Sequence, residues 1–198
     1  VLVDGRDLAA VSRRELRDLR TRIGFVHQDL ALVPNLRVSQ NVLSGALGRR
    51  GFLSVLRLVF FPARADLVRA FSLLGTAGIP EKLYERTDRL SGGQQQRVAV
   101  ARALMPEPRA LLADEPVSSV DPARAEDLVA LLAGLSAGRG LTLLMSLHNL
   151  ELARRHFPRL VGLKGGRVVF DAPTDSVGED DFRELYRLAK GEMLADGT

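Results

Sequence analysis

Two short apolar runs, each closed by a polar group, constrain this chain more than any other feature. Residues 110–113 (Ala-Leu-Leu-Ala) run into Asp114-Glu115, and residues 141–147 run into His148. Between them, residues 122–135 carry the apolar spacing of an amphipathic helix opened by Pro122. Apolar strands too short to be helices, separated by a helix, predict a strand–helix–strand crossover and a parallel sheet. A third apolar run, residues 23–26, ends at His27-Gln28. Three strands then present polar groups at their C-terminal ends, where open α/β sheets hold ligands.

The rest of the chain is read around that frame. Residues 1–3 with Asp4-Gly5 predict a strand and a tight turn, and Ser12 caps a charged helix from Arg13. From 29 to 90 the pattern is mostly helical, with segments 38–47 and 65–74 broken by Gly and Pro. This block reads as an inserted subdomain between a core of 1–28 and a core of 91–198. Residues 94–104 read as a helix stopped by Pro106, and 149–156 as another. Residues 160–163 and 167–170 flank Gly165-Gly166 as a hairpin, with 160–163 also expected in the core sheet. Residues 179–194 read as a polar amphipathic helix.

A hydrophobic share of 46% in 198 residues supplies a core of one-domain size. No cysteine is present, which excludes disulfides and thiolate metal sites. No uninterrupted apolar run approaches the ~20 residues of a membrane helix. Aromatics make up 5% without tryptophan, so a base-stacking surface is not expected, nor a nucleic-acid partner. The net charge of +4 suits anionic partners such as phosphates, or reflects a general preference for arginine.

Chemistry is concentrated in a few strings. In Leu90-Ser91-Gly92-Gly93-Gln94-Gln95-Gln96-Arg97, a serine and two glycines stand directly before a helix. Backbone N–H groups without Cβ shielding, at the positive end of a helix, can cradle a phosphate. The shorter Ser-Gly-Gly alone is an ordinary helix cap. In Ala110-Leu111-Leu112-Ala113-Asp114-Glu115, a strand delivers adjacent carboxylates to opposite sides. One can hold Mg2+ through water, and the other can orient an attacking water. Seen alone, the pair is a capping turn. Asp121-Pro122 is a helix start, His148 a strand-end histidine and Gln28 a strand-end glutamine.

Together the strings resemble the ATP-binding subunits of ABC transporters. Residues 90–97 are similar to the LSGGQ signature and 109–116 to the Walker B motif with its catalytic glutamate. Residues 118–122 resemble the D-loop, His148 the switch histidine and Gln28 the Q-loop glutamine. Residues 40–49, 113–122, 147–154 and 166–171 are closer still to phosphonate-import ATPases. The resemblance implies a P-loop NTPase-like α/β domain that binds ATP with Mg2+ and hydrolyses it.

Asp114 and Gln28 would meet the metal, with Glu115, His148 and Gln28 catalytic. Ser91, Gly92, Gly93, Gln94 and Asp121 would meet the nucleotide of a second copy in a homodimer. Residues 29–90 would contact transmembrane permease subunits, and an extracytoplasmic binding protein would supply phosphonate or a phosphate ester. The protein would sit in the cytoplasm, peripheral on the inner face of the cell membrane. An exporter or other-substrate ABC ATPase and a non-catalytic degenerate cassette stand as alternatives.

The family's G-x-x-x-x-G-K-[ST] loop has no counterpart here, because none of Lys82, Lys164 and Lys190 has the required neighbours. The chain opens as Val-Leu-Val-Asp-Gly-Arg-Asp-Leu, which reads as a strand and turn already in progress. The expectation is a cassette missing its first strand–loop–helix unit, through a fragmentary record or true loss. Without that loop, this chain alone is expected not to hydrolyse ATP.

Overall fold

The computed structural model describes residues 2–3, 5–49, 54, 57–58, 60–117 and 121–187. The chain forms two compact units, Val1–His148 and Asn149–Thr198.

The first unit opens with a small antiparallel ribbon, β1 (Leu2–Val3) on β2 (Arg6–Asp7), turned by Gly5 at φ 74°. Helix α1 (Arg13–Thr21) starts at a reciprocal cap. Ser12 Oγ accepts from the Glu15 backbone N–H, and Glu15 Oε2 accepts from that of Ser12. Strand β3 (Ile23–Val26) follows, then α2 (Val38–Ser44), α3 (Arg64–Thr76) and α4 (Gly92–Leu104). Strand β4 (Ala110–Ala113), α5 (Pro122–Arg139) and β5 (Thr142–Met145) complete the unit. The α5–β5 turn is made by Gly140 in the left-handed region, with the Leu141 N–H donating to the Ser136 carbonyl.

The three strands form one parallel sheet ordered β3-β4-β5. Val26 pairs with Ala113, and Ala113 with Met145, so all three end at the same level. The α/β parallel reading therefore holds. Beneath it runs α4, whose Val98–Ala101 stretch is completely buried. A helix apolar on nearly all sides belongs inside a core. Its neighbours are Leu111 of the sheet, Val42 and Leu43 of α2 and Leu74 of α3, so sheet and helical block share one cluster. Asn41, 1% exposed, ties that block together: its amide accepts from Val33 N–H and donates to the Val33 carbonyl and Thr87 Oγ1.

The second unit contains α6 (Leu150–His156), the hairpin β6 (Arg159–Lys164) with β7 (Arg167–Pro173), and α7 (Glu179–Arg187). The expectation that 160–163 joins the core sheet is corrected here. Among the described residues β6 pairs with β7 alone, antiparallel, from Arg159↔Pro173 to Lys164↔Arg167. Gly165 and Gly166 at φ 52° and 72° make the two-residue turn that sets this register. Residues 188–194 of the expected last helix lie outside the described residues.

Candidate functional site

Strand β4 aims the site. Its last residue, Ala113, is buried, and the chain then turns sharply, with Glu115 at φ 42°. A non-glycine residue in the left-handed region is strained and persists only where its surroundings hold it. The hold comes from Ser146, just past the end of β5. Its Oγ accepts from the Glu115 backbone N–H at 2.8 Å and donates to Asp114 Oδ1 at 2.9 Å. Ser146 is itself placed by its N–H, which donates to the Ala113 carbonyl at 3.0 Å. One hydroxyl thus orients both carboxylate-bearing residues.

Two residues further on, His148 Nε2 lies 2.6 Å from Glu115 Oε1. The His148 side chain is 78% exposed and that of Glu115 28%, so the pair faces a solvent-open edge. The Asp114 N–H donates to the Val26 carbonyl at 3.0 Å, tying this cluster to the end of β3. Gln28 sits two residues past Val26, in the turn that follows β3. Asp114, Glu115, Ser146 and His148 are joined by contacts, and Gln28 leaves the same end of the adjacent strand.

The signature residues form a separate place. Ser91 caps α4 reciprocally with Gln94: its Oγ accepts from the Gln94 N–H at 3.4 Å, and Gln94 Oε1 accepts from the Ser91 N–H at 3.1 Å. Gly92 and Gly93 have φ in the ordinary range, and a Cβ on either would meet nothing within 4 Å. The chain's own packing therefore does not require glycine there. The open space there leaves room for a group approaching from outside. Ser91, Gly93 and Gln94 line a cleft of about 210 Å3 with Arg97, Arg124 and Asp127. The lining thus joins two guanidinium groups and a carboxylate at a helix start, with Arg97 Nη1 donating to the Ala77 carbonyl at 2.7 Å. Asp121 N-caps α5 through Arg124 N–H at 3.1 Å and pairs with Arg124 Nε at 3.1 Å. Residues 118–120 of the expected D-loop lie outside the described residues.

A buried amide joins the two places. Gln96 is 7% exposed, and its Nε2 donates to the Pro116 carbonyl at 3.1 Å, one residue after Glu115. Sequence reading missed Ser146, Gln96 and Arg124. A hydroxyl interrupting an apolar strand and an uncharged polar residue on a buried helix were the available signals.

Comparison with known proteins gives a consistent picture. Residues 1–118 match the family described as ABC transporter. The chain is 46% identical over 191 residues to the phosphonates import ATP-binding protein PhnC of Anaeromyxobacter dehalogenans, covering 96% of this chain and 38% of that protein. It is 41% identical over 199 residues to phosphonates import ATP-binding protein PhnC 3 of Halalkalibacterium halodurans, covering 100% and 76%. Among solved structures it resembles cbiO1 of Clostridium perfringens, part of the ABC transporter complex cbiONQ. The TM-score is 0.75 at 26% identity, over 98% of this chain and 75% of that one. A dimeric ATP-binding cassette in a post-hydrolysis state, bound to ADP and Pi, matches with TM-score 0.70 at 31% identity, over 87% and 72%.

Proposed function

The chain belongs to the ABC transporter family, and from that premise we propose that it is the ATP-hydrolysing subunit of a phosphonate or phosphate-ester importer. The observation that carries the hydrolytic reading is the contact of His148 with Glu115 at the sheet edge, beside the Ser146-held Asp114. The substrate reading rests on the names of relatives at 41–46% identity.

ATP is the substrate and Mg2+ its companion. Asp114 and Gln28 offer one carboxylate and one amide oxygen. That donor set suits a hard cation which keeps much of its water and shares it with phosphates. When bound, the ion neutralises charge on the transferring phosphoryl group. Glu115 orients and polarises the attacking water, which needs its carboxylate ionised and fixed. The Ser146 contact to its backbone and the His148 contact to its side chain fix it. The same ring, 78% exposed at this edge, is the group we assign to meet the γ-phosphate.

The cleft at Ser91 serves a nucleotide carried by a second copy, so the working unit is a homodimer. The Ser91 cap uses a lone pair of Oγ, and its O–H proton remains for a phosphate oxygen. Asp121 takes the D-loop position at that interface. No G-x-x-x-x-G-K-[ST] string occurs in residues 1–198, so hydrolysis is assigned to the complete protein and not to these residues alone.

Residues 29–90 form the helical subdomain that meets the permease. They expose Phe60, Phe61, Val68 and Phe71, each at least half accessible, the kind of surface that marks a protein contact. Among the described residues no helix is long and apolar enough to cross a membrane. We assign attachment at the cytoplasmic face to contact with the permease, with an extracytoplasmic binding protein delivering substrate. The test is ATP hydrolysis by the complex reconstituted with permease and binding protein. Stimulation by phosphonates or phosphate esters supports the assignment. Full ATPase activity that responds to neither would refute the substrate class.

A further inference from the structure

The loop leaving Gln28 is held in an uncommon backbone. Leu30 and Ala31 sit at φ 60° and 44°. That region crowds Cβ, and two non-glycine residues occupying it in succession need an external hold. The hold is Arg102. Its Nη2 donates to the Leu30 carbonyl at 2.7 Å and its Nη1 to the Ala31 carbonyl. A planar guanidinium reaches two successive carbonyls with one rigid group, which a lysine cannot do.

Arg102 is itself fixed. Gly45, ending α2, packs against the Arg102 carbonyl so closely that a Cβ there would overlap it. Gly24 in β3 packs the same way on the Ala103 carbonyl, 2.5 Å from where its Cβ would stand. Two glycines therefore press this end of α4 against β3 and α2, which brings Arg102 under the loop. Burial pulls the Arg102 guanidinium below its ordinary value, and the charge of Asp29 opposes that shift. The side chain thus gives up hydration to make these contacts.

We propose that Arg102 is the positioning residue for Gln28, holding the Leu30 and Ala31 carbonyls so that the turn after β3 keeps one conformation. The helix that begins at Ser91 then ends by gripping the loop of the glutamine. This rests on the role given to Gln28 above.

The experiment uses the complete protein with Mg·ATP. Amide hydrogen exchange is read across residues 29–33, together with kcat and KM for ATP. Arg102→Met keeps the aliphatic stem and removes the fork. It should speed exchange at 30–32 by about tenfold or more. It should lower kcat by about tenfold, as loss of precise positioning does, with KM changing less than about threefold. Arg102→Lys, with one point donor, should fall between, which also guards against a misfolded methionine variant. Gln28→Ala is the control, and it should lower kcat without altering exchange at 30–32. Unchanged exchange at 30–32 in Arg102→Met overturns the clamp. Faster exchange with unchanged kcat, where Gln28→Ala does lower kcat, overturns the link to the site. If Gln28→Ala itself leaves kcat intact, the role of Gln28 falls instead, and exchange alone decides the clamp.

Discussion

His148 Nε2 and Glu115 Oε1 stand 2.6 Å apart across the ends of two adjacent parallel strands. The contact couples a residue whose backbone is strained to one whose ring is mostly in solvent. Glu115→Gln keeps the shape and a hydrogen-bonding oxygen but removes the charge proposed to polarise water. In the complete protein it should lower phosphate release by about 10²–10⁴-fold, the span of general-base effects. ATP affinity by equilibrium binding should change less than about threefold. Wild-type turnover in this variant would leave Glu115 only a structural role.

Ser146→Ala tests the hydroxyl that serves both carboxylate residues. The bonds lie at an exposed edge, so water replaces part of what is lost, and stability should fall by about 1 kcal/mol or less. Turnover should fall by about tenfold or more, because Glu115 loses the acceptor that holds its left-handed backbone. Ser146→Thr keeps the hydroxyl and should retain most activity. A melt and a kcat from the same preparation separate the two effects.

How much of this was legible in the sequence depends on distance along the chain. Strands β3 and β4 fall where their apolar runs predicted, since turn residues and carboxylates bound them sharply. Strand β5 is shorter than the run 141–147, because Leu141 closes the α5 turn and Ser146, whose N–H makes the last bond to β4, begins the turn whose hydroxyl holds Asp114 and Glu115. Helix α4 starts at Gly92 and not Gln94, since the Ser91 cap draws both glycines into its first turn. The locations of Asp114, Glu115 and His148 could be read from strand ends. The supports could not: Ser146 acts over 31 residues, Gln96 over 20 and Arg102 over 72. Local pattern carries no information about such partners.

Gly45→Ala tests the close packing of α2 on α4. The added Cβ would overlap the Arg102 carbonyl, and backbone cannot swing aside as a flexible side chain does. Overpacking of this kind costs ~1–3 kcal/mol. For a domain of this size that lowers the melting temperature by about 2–12 °C. Gly134→Ala, where the Cβ meets nothing within 4 Å and the helix gains a better former, should hold or raise it. Equal melting of the two variants would contradict the contact.

Asp88 gives a pH-dependent check on the helical block. The hydrogen bond from Arg86 holds its carboxyl below 3.8, and the salt bridge measures 2.5 Å. A depressed folded-state value means that the contribution to stability is fully present above about 3.8 and is lost as pH falls through the lower folded value. Arg86→Ala should move the Asp88 midpoint up toward 3.8 in an NMR titration of side-chain carboxyls. No movement would mean that the pair does not persist in solution.

The exposed edge of the parallel sheet leads to the last prediction. Among the described residues β5 pairs with β4 on one side and with no strand on the other. Leu144, in the middle of that strand, is 63% exposed, and Phe25 on β3 is 37% exposed. An apolar strand with an open edge is a template for a second chain, and a lysine on such a strand blocks pairing by burying a charge. Residues 1–198 alone should therefore self-associate at micromolar concentration, as read by sedimentation velocity. Leu144→Lys should shift the distribution toward monomer without lowering the melting temperature by more than about 2 °C, because an exposed site contributes little to packing. A lysine at an exposed neutral position elsewhere, such as Ala130→Lys on α5, adds the same single charge and should leave the distribution unchanged. A monomeric wild-type chain, or equal relief from both lysines, would show that β5 is not the pairing edge.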